Sequence, residues 1–288
     1  MTQLRQKMIQ EMQLRRFSPR TQRSYVSAVV GLAGYYKQPP DKLTNDDVKK
    51  YLLYLMNERK LSWSTCNQVV CGLRFFYTVT LGNELKDFDI PPRKNKKQLP
   101  EILSKESLER LFACVTNPKH RLLLMTTYSA GLRVSEVVKL RPQHIDSERM
   151  TIRVEQGKGN KDRYTILSER LLKELRAYWI MYYSSTATWL FPSRDMNNPM
   201  NISTAQKIYY SACRKAGITK GMGIHTLRHC FATHLFEEGI DPRIIQVLMG
   251  HNHISTTTRY MQVTRTMFKR VRSPLDIPGT PDSTTIDA

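Results

Sequence analysis

One stretch of this chain can be neither helix nor strand, and it divides the rest. Between Asp89 and Pro100 the sequence passes through Pro91-Pro92, then Arg93, Lys94, Lys96 and Lys97, and closes on Pro100. Proline fixes φ and removes a backbone donor, and no apolar period runs through these residues, so they read as an extended linker. The expected organisation is a helical unit over 1–88, a basic linker over 89–103, a larger unit over 104–272 and a tail over 273–288. The tail carries three prolines, no basic residue and Asp276, Asp282 and Asp287, a composition that predicts disorder. A chain of 288 residues split in this way leaves each unit enough length to bury a core.

Charge narrows the partner. Lys and Arg number 45 against 25 Asp and Glu, a net +20, which predicts a polyanion, nucleic acid being the commonest. Residues 1–98 hold 18 basic and 8 acidic side chains and the remaining 190 hold 27 and 17, so the N-terminal third is about twice as dense in positive charge. Lying between two basic units, the 89–100 cluster reads as a strap along a phosphate backbone, although a solvated charge run has the same composition. Charge alone does not separate a DNA enzyme from a structural nucleic-acid binder. No window reaches the roughly 18 uncharged apolar residues of a spanning helix, and Met1 to Arg16 is charged throughout, unlike a signal peptide. Membrane insertion and secretion are therefore not expected. The 5 cysteines are odd in number and form no CxxC pair, which supports neither a disulfide framework nor a cysteine zinc site.

The first unit is expected to be all helical. Ser18-Pro19 resembles an N-cap with proline at the first helical position, and Tyr25, Val29, Leu32 and Tyr36 then share a face. Thr44 and Asp47 form a capping-box pattern that opens a helix to about Asn57, and a further helix is predicted from about Ser64 to Leu81. In the second unit helices are predicted at about 105–115, 119–129, 134–140, 169–183, 203–216, 226–238 and 242–249, with another opening near Ser255. Between Arg149 and Leu167 the period changes to two, around Gly157-Lys158-Gly159-Asn160, which predicts a β-hairpin with a lysine-bearing turn. The fold class is thus mainly α with a small β-hairpin or sheet.

Four short stretches concentrate reactive side chains. Arg133 follows a glycine helix stop and precedes Glu136 by one turn; the pair could aim an arginine into a cleft or be a plain surface i,i+3 pair. Lys158 sits between two glycines on the hairpin turn, with Lys161 and Arg163 beside it; any basic hairpin tip would look similar. His225 and Arg228 share one face of a helix N-terminus, where free N–H groups and the macrodipole favour anions. His225 and His229 also stand i,i+4, but Thr226 replaces the glutamate of a zinc HExxH motif, so no metal is expected; His229 and His234 read as structural. Gly250 ends a helix before His251, and Tyr260 follows nine residues later. The set lacks the carboxylates a two-metal nuclease needs. It suits a metal-free phosphoryl transfer in which a tyrosine oxygen attacks phosphorus. A phenol with a pKa of about 10 needs a cationic surround or a base to do so near neutral pH.

These strings, Gly131-Leu132-Arg133-Val134-Ser135-Glu136, Gly157-Lys158-Gly159-Asn160-Lys161, His225-Thr226-Leu227-Arg228-His229 and Leu248-Met249-Gly250-His251 running to Tyr260, resemble the tyrosine recombinase family of phage-integrase type, most closely its Xer-like members. The resemblance implies a helical SAM-like core-binding domain followed by a mixed α+β catalytic domain. It implies site-specific recombination or integration through a 3′-phosphotyrosyl intermediate, without ATP, metal or other cofactor. Tyr260 would be the nucleophile, Arg133 and Arg228 the phosphate clamp, and Lys158 the acid for the departing 5′-oxygen. His225 would be a base or hydrogen-bond partner of the tyrosine, His251 a donor to a non-bridging oxygen, and Glu136 the support of the first arginine. DNA contacts would fall to Arg20, Arg23, Arg93, Lys94, Lys96, Lys97, Lys161 and Arg163. Partners would be double-stranded DNA, further copies of the chain (a dimer on a site, a tetramer in the synapse) and accessory DNA-binding proteins, in a bacterial cytoplasm at the nucleoid. Two rival readings are a type IB topoisomerase, which relaxes DNA with similar residues, and a non-catalytic sequence-specific DNA binder.

Overall fold

The computed structural model describes residues 2–82, 101–155, 162–182, 188–221 and 223–251, and the chain falls into two compact units, 1–96 and 97–288.

The first unit holds α1 (Gln3–Leu14), α2 (Pro19–Tyr36), α3 (Asn45–Asn57) and α4 (Trp63–Phe75). Side chains start three of them. Ser18 accepts from the Thr21 N–H, Ser62 accepts from that of Thr65, and Thr44 and Asp47 exchange the two bonds of a capping box. α1 was not anticipated as a separate helix. It is polar around most of its circumference and buries only Met8 and Met12, one turn apart. The helix expected over 64–81 is not a single α-helix: a π-helical segment, Phe76–Thr80, follows α4. Its wider turn lets the consecutive aromatics Phe75, Phe76 and Tyr77 all enter the core with Leu32, Leu52, Val70 and Leu73. At Gly72, α4 lies against the backbone of α2, where a Cβ would sit 3.0 Å from Tyr25 Cα.

The second unit holds α5 (Lys105–Ala113), α6 (Pro118–Ser129), α7 (Val134–Val137), β1 (Ile145–Asp146), β2 (Thr151–Val154), β3 (Arg163–Ile166), α8 (Glu169–Tyr182), α9 (Ile202–Lys215), α10 (His225–Glu237) and α11 (Pro242–Met249). The strands form an antiparallel sheet in the order β1-β2-β3, with Ile152 opposite Thr165 and Val154 opposite Arg163. β1 is two residues long and adds an edge to the anticipated hairpin. The helix expected over 134–140 stops at Val137, five residues before Pro142. Leu111, Leu123, Ile152, Leu171, Tyr209 and Leu227 belong to one core. Phe231, Phe236, Ile245 and Met249 form a second cluster joining α10 to α11.

α10 also grips the beginning of this unit. The Leu103 N–H donates to Cys230 Sγ at 3.3 Å, and the Leu103 carbonyl accepts from His234 Nε2 at 3.1 Å. With Nε2 protonated, His234 Nδ1 accepts from the Tyr128 hydroxyl at 2.8 Å. His234 is therefore a structural histidine, and its burial lowers its pKa. No helix among the described residues is long and apolar enough to cross a membrane.

Candidate active site

Five elements bring their ends together. α6 stops because Gly131 turns left-handed at φ 60°, and a Cβ there would lie 2.3 Å from the Phe231 ring. Only glycine fits that turn, which carries the chain to Arg133 at the N-cap of α7. Glu136 follows one turn later. β3 opens on Arg163. α10 opens on His225, with Arg228 one turn inward, and α11 ends at Gly250, left-handed at φ 61°, before His251. The His251 N–H donates to the Gln246 carbonyl at 3.1 Å, and Gln246 Nε2 donates to the His251 carbonyl at 3.0 Å, which fixes the backbone at that turn.

Glu136 is the centre. Its Oε1 accepts from Arg133 Nη1 at 2.7 Å and Arg163 Nη1 at 2.9 Å; its Oε2 accepts from the Arg133 N–H and from Arg163 Nη2, both at 2.8 Å. Arg228 Nη1 stands 3.6 Å from the same Oε2. The three guanidiniums also take three successive carbonyls at the end of α11. Arg163 Nε donates to Leu248 at 3.0 Å, Arg228 Nη2 to Met249 at 2.5 Å and Arg133 Nη2 to Gly250 at 3.2 Å. Arg228 Nη1 donates to the Gly131 carbonyl at 2.6 Å, tying the helix stop to the cluster. Cations at a helix C-terminus complement its dipole.

Burial works against an ionised Glu136, but the bonds and charge of Arg163, the Arg133 N–H and the charge of Arg228 outweigh it and hold the carboxyl at about 2. The histidines move the opposite way from ordinary imidazoles beside a carboxylate. Burial, then the charges of Arg228, Arg133 and Arg163, push His251 down to about 3. Burial and the charges of Arg228 and Arg133 lower His225 against the pull of Glu136. Both are neutral near pH 7, so each offers one N–H donor and one acceptor. Three arginines against one carboxylate leave two surplus positive charges, with neutral donors at the edge: chemistry suited to a phosphodiester or its pentacoordinate transition state. Among the described residues, no three His, Cys, Asp or Glu side chains converge as metal ligands would.

The comparisons agree with this chemistry. The Phage integrase family matches residues 101–267, and the SAM-like N-terminal domain of phage integrases matches residues 4–87. The chain belongs to the phage integrase family. Protein y4qK of Sinorhizobium fredii is 40% identical over 285 residues, 99% of this chain and 92% of that one. Tyrosine recombinase XerA of Thermococcus kodakarensis is 36% identical over 220 residues, 74% of this chain and 76% of its own. The crystal structure of XerH site-specific recombinase, bound to its palindromic difH substrate in a post-cleavage complex, shares the fold at a TM-score of 0.70 and 20% identity, covering 86% of this chain and 77% of that one. The expected fold class therefore stands: mostly helical with a small sheet, a SAM-like unit followed by an integrase catalytic domain.

Within this integrase, Arg133, Glu136, His225, Arg228 and His251 lie in or beside one cluster. Lys158, Lys161 and Tyr260 fall outside the described residues, as do Arg93, Lys94, Lys96 and Lys97 of the linker and the helix expected from Ser255. Arg20 and Arg23 are exposed on the first turns of α2. Arg163, expected to contact DNA from the hairpin, turns inward, with a side chain only 10% exposed and its guanidinium on Glu136 and the Leu248 carbonyl. β3 exposes Tyr164 and Ile166 and turns Arg163 and Thr165 toward the body, where Thr165 Oγ1 donates to the Ala130 carbonyl at 2.9 Å.

Proposed function

We propose that this integrase cleaves and rejoins DNA strands at specific sites through a covalent 3′-phosphotyrosyl intermediate. The observation that carries the reading is the three-arginine cluster on Glu136, with neutral histidines beside it, built from the ends of four separate elements. Such a cluster has no use as a core and every use around a phosphate.

In the proposed reaction the Tyr260 oxygen attacks the scissile phosphorus. A new P–O bond to Tyr260 forms as the bond to the 5′-oxygen breaks. His225 accepts or shares the phenol proton, and Lys158 supplies a proton to the departing 5′-oxygen. Arg133 and Arg228 hold the non-bridging oxygens, and bidentate guanidinium contacts match that geometry better than an ammonium would. His251, neutral, donates its N–H to one of those oxygens. The phosphotyrosyl bond conserves the energy of the phosphodiester, so a 5′-hydroxyl of the partner strand reverses the step on a new duplex and no ATP is consumed. The helical unit and the basic linker are read as the second half of a clamp on double-stranded DNA, with further copies of the chain completing a synapse. The post-cleavage XerH complex on its own DNA, of like fold, supports this reading. The site of action is inferred to be the cytoplasm, at the nucleoid.

The test is a nicked duplex carrying the sequence that the wild-type chain selects from randomised double-stranded DNA. Denaturing electrophoresis should show a covalent protein–DNA adduct with the wild type and none with Tyr260→Phe, while both bind the duplex with similar affinity. An adduct that persists in Tyr260→Phe removes Tyr260 as nucleophile.

A further inference from the structure

We propose that Arg163 is a positioning residue for strand cleavage, acting through Glu136 and the end of α11 and not on DNA. The inference rests on the function proposed above and deepens it.

Of the three arginines, Arg163 alone places both Nη atoms on Glu136, at 2.9 and 2.8 Å, while its Nε takes the Leu248 carbonyl at 3.0 Å. It thus spans two elements at once: the carboxylate of α7, which holds Arg133, and the last turn of α11, which presents His251. Arg133 and Arg228 meet the same carboxylate with a single Nη each, and turn the other Nη to the Gly250 and Met249 carbonyls. If the Arg163 fork is withdrawn, Glu136 can swing with Arg133, and the carbonyl ladder of α11 loses its first rung. The backbone is shaped around this side chain: a Cβ at residue 250 would come within 2.7 Å of Arg163 Cδ, so the glycine there clears the arginine as well as making the turn. Arg163 also opens β3, paired with Val154 at the end of β2.

The Arg163 side chain is 10% exposed, between the 5% of Arg228 and the 20% of Arg133, so it is its bonds rather than its burial that set it apart from a DNA contact. Its three bonds use both edges of the guanidinium on protein acceptors, a geometry a lysine cannot reproduce with one compact ammonium.

The experiment uses the full chain and the nicked duplex described above, with adduct formation followed under single-turnover conditions at increasing protein. Arg163→Gln and Arg163→Lys should each lower the rate at saturation by at least about thirtyfold and move the half-saturation point by less than about threefold. Arg163→Lys retains the charge, so should the glutamine variant fail to fold, a rate loss in the lysine variant at an unchanged melting temperature still tests the proposal. The double variant Glu136→Gln/Arg163→Gln should be no slower than the slower single variant, because the two act as a unit. Weakened affinity with an unchanged saturating rate would make Arg163 a DNA contact and sink the proposal. Losses that multiply in the double variant would show that it does not act through Glu136, with the same result. A wild type that binds the duplex but forms no adduct overturns the proposed function and this inference together. An active wild type, an inert Tyr260→Phe and a fully active Arg163→Gln overturn this inference alone.

Discussion

Glu136 and His251 show how far a site can move two ordinary side chains. The carboxyl is held at about 2 against an ordinary 4.5, and the imidazole at about 3 against 6.5. Both bind fewer protons folded than unfolded over the intervals between those values, so stability rises with pH there. Their contributions are fully present above 6.5 for the histidine and 4.5 for the glutamate, and are lost as the pH falls toward about 3 and about 2. Urea midpoints should therefore fall between pH 7 and pH 4, and His251→Gln should make that decline shallower. An acid limb as steep in the variant as in the wild type would remove His251 from this account. Arg133, His225, Arg228 and His251 were legible in the sequence because each stands at a helix boundary marked by glycine or by motif spacing. Arg163 was not legible as part of the site. It sits on a strand whose large apolar residues, Tyr164 and Ile166, face outward, so the alternation of hydrophobic residues does not point to it. The sharing of one carboxylate by three arginines could not be read either, since it joins residues as far apart as 133 and 228.

At the level of elements, caps told more than composition. Ser18 and Thr44 start helices where their sequences suggest, and α11 ends where Gly250 says it must. The polar α1 and the π-helical end of α4 depend on tertiary packing that no local signal announces. The crossing of α2 and α4 gives a prediction of sign. Replacing Gly72 by alanine gains about 1 kcal/mol of helix propensity. The new methyl would stand 3.0 Å from Tyr25 Cα and Ala28 Cβ and 3.3 Å from the Tyr25 carbonyl oxygen, and backbone cannot rotate aside. Overpacking of that kind costs about 1–3 kcal/mol, so Gly72→Ala should be destabilising overall. Urea denaturation gives the size, and hydrogen exchange should place the loss in α2 and α4. A variant as stable as the wild type would mean that the two helices separate more easily than their backbone contact implies.

For the whole molecule, the +20 surplus is far larger than the chemistry needs. If six or more phosphates are neutralised on DNA, affinity should fall about a thousandfold between 50 and 200 mM salt. Fluorescence anisotropy on a labelled duplex measures this, and a log–log slope shallower than about −2 would confine DNA contact to the arginine cluster. The cluster itself has a further consequence. Three guanidiniums crowd one buried carboxylate, and their mutual repulsion is retained in the folded state. Removing Arg133 would leave Glu136 still bridged by Arg163 and would relieve part of that repulsion. With Arg133 on the scissile phosphate as proposed, the most durable version of this chain and the most active one are different sequences. Laboratory selection for heat resistance alone would drift toward a sturdier, inert protein by discarding an arginine before disturbing the core.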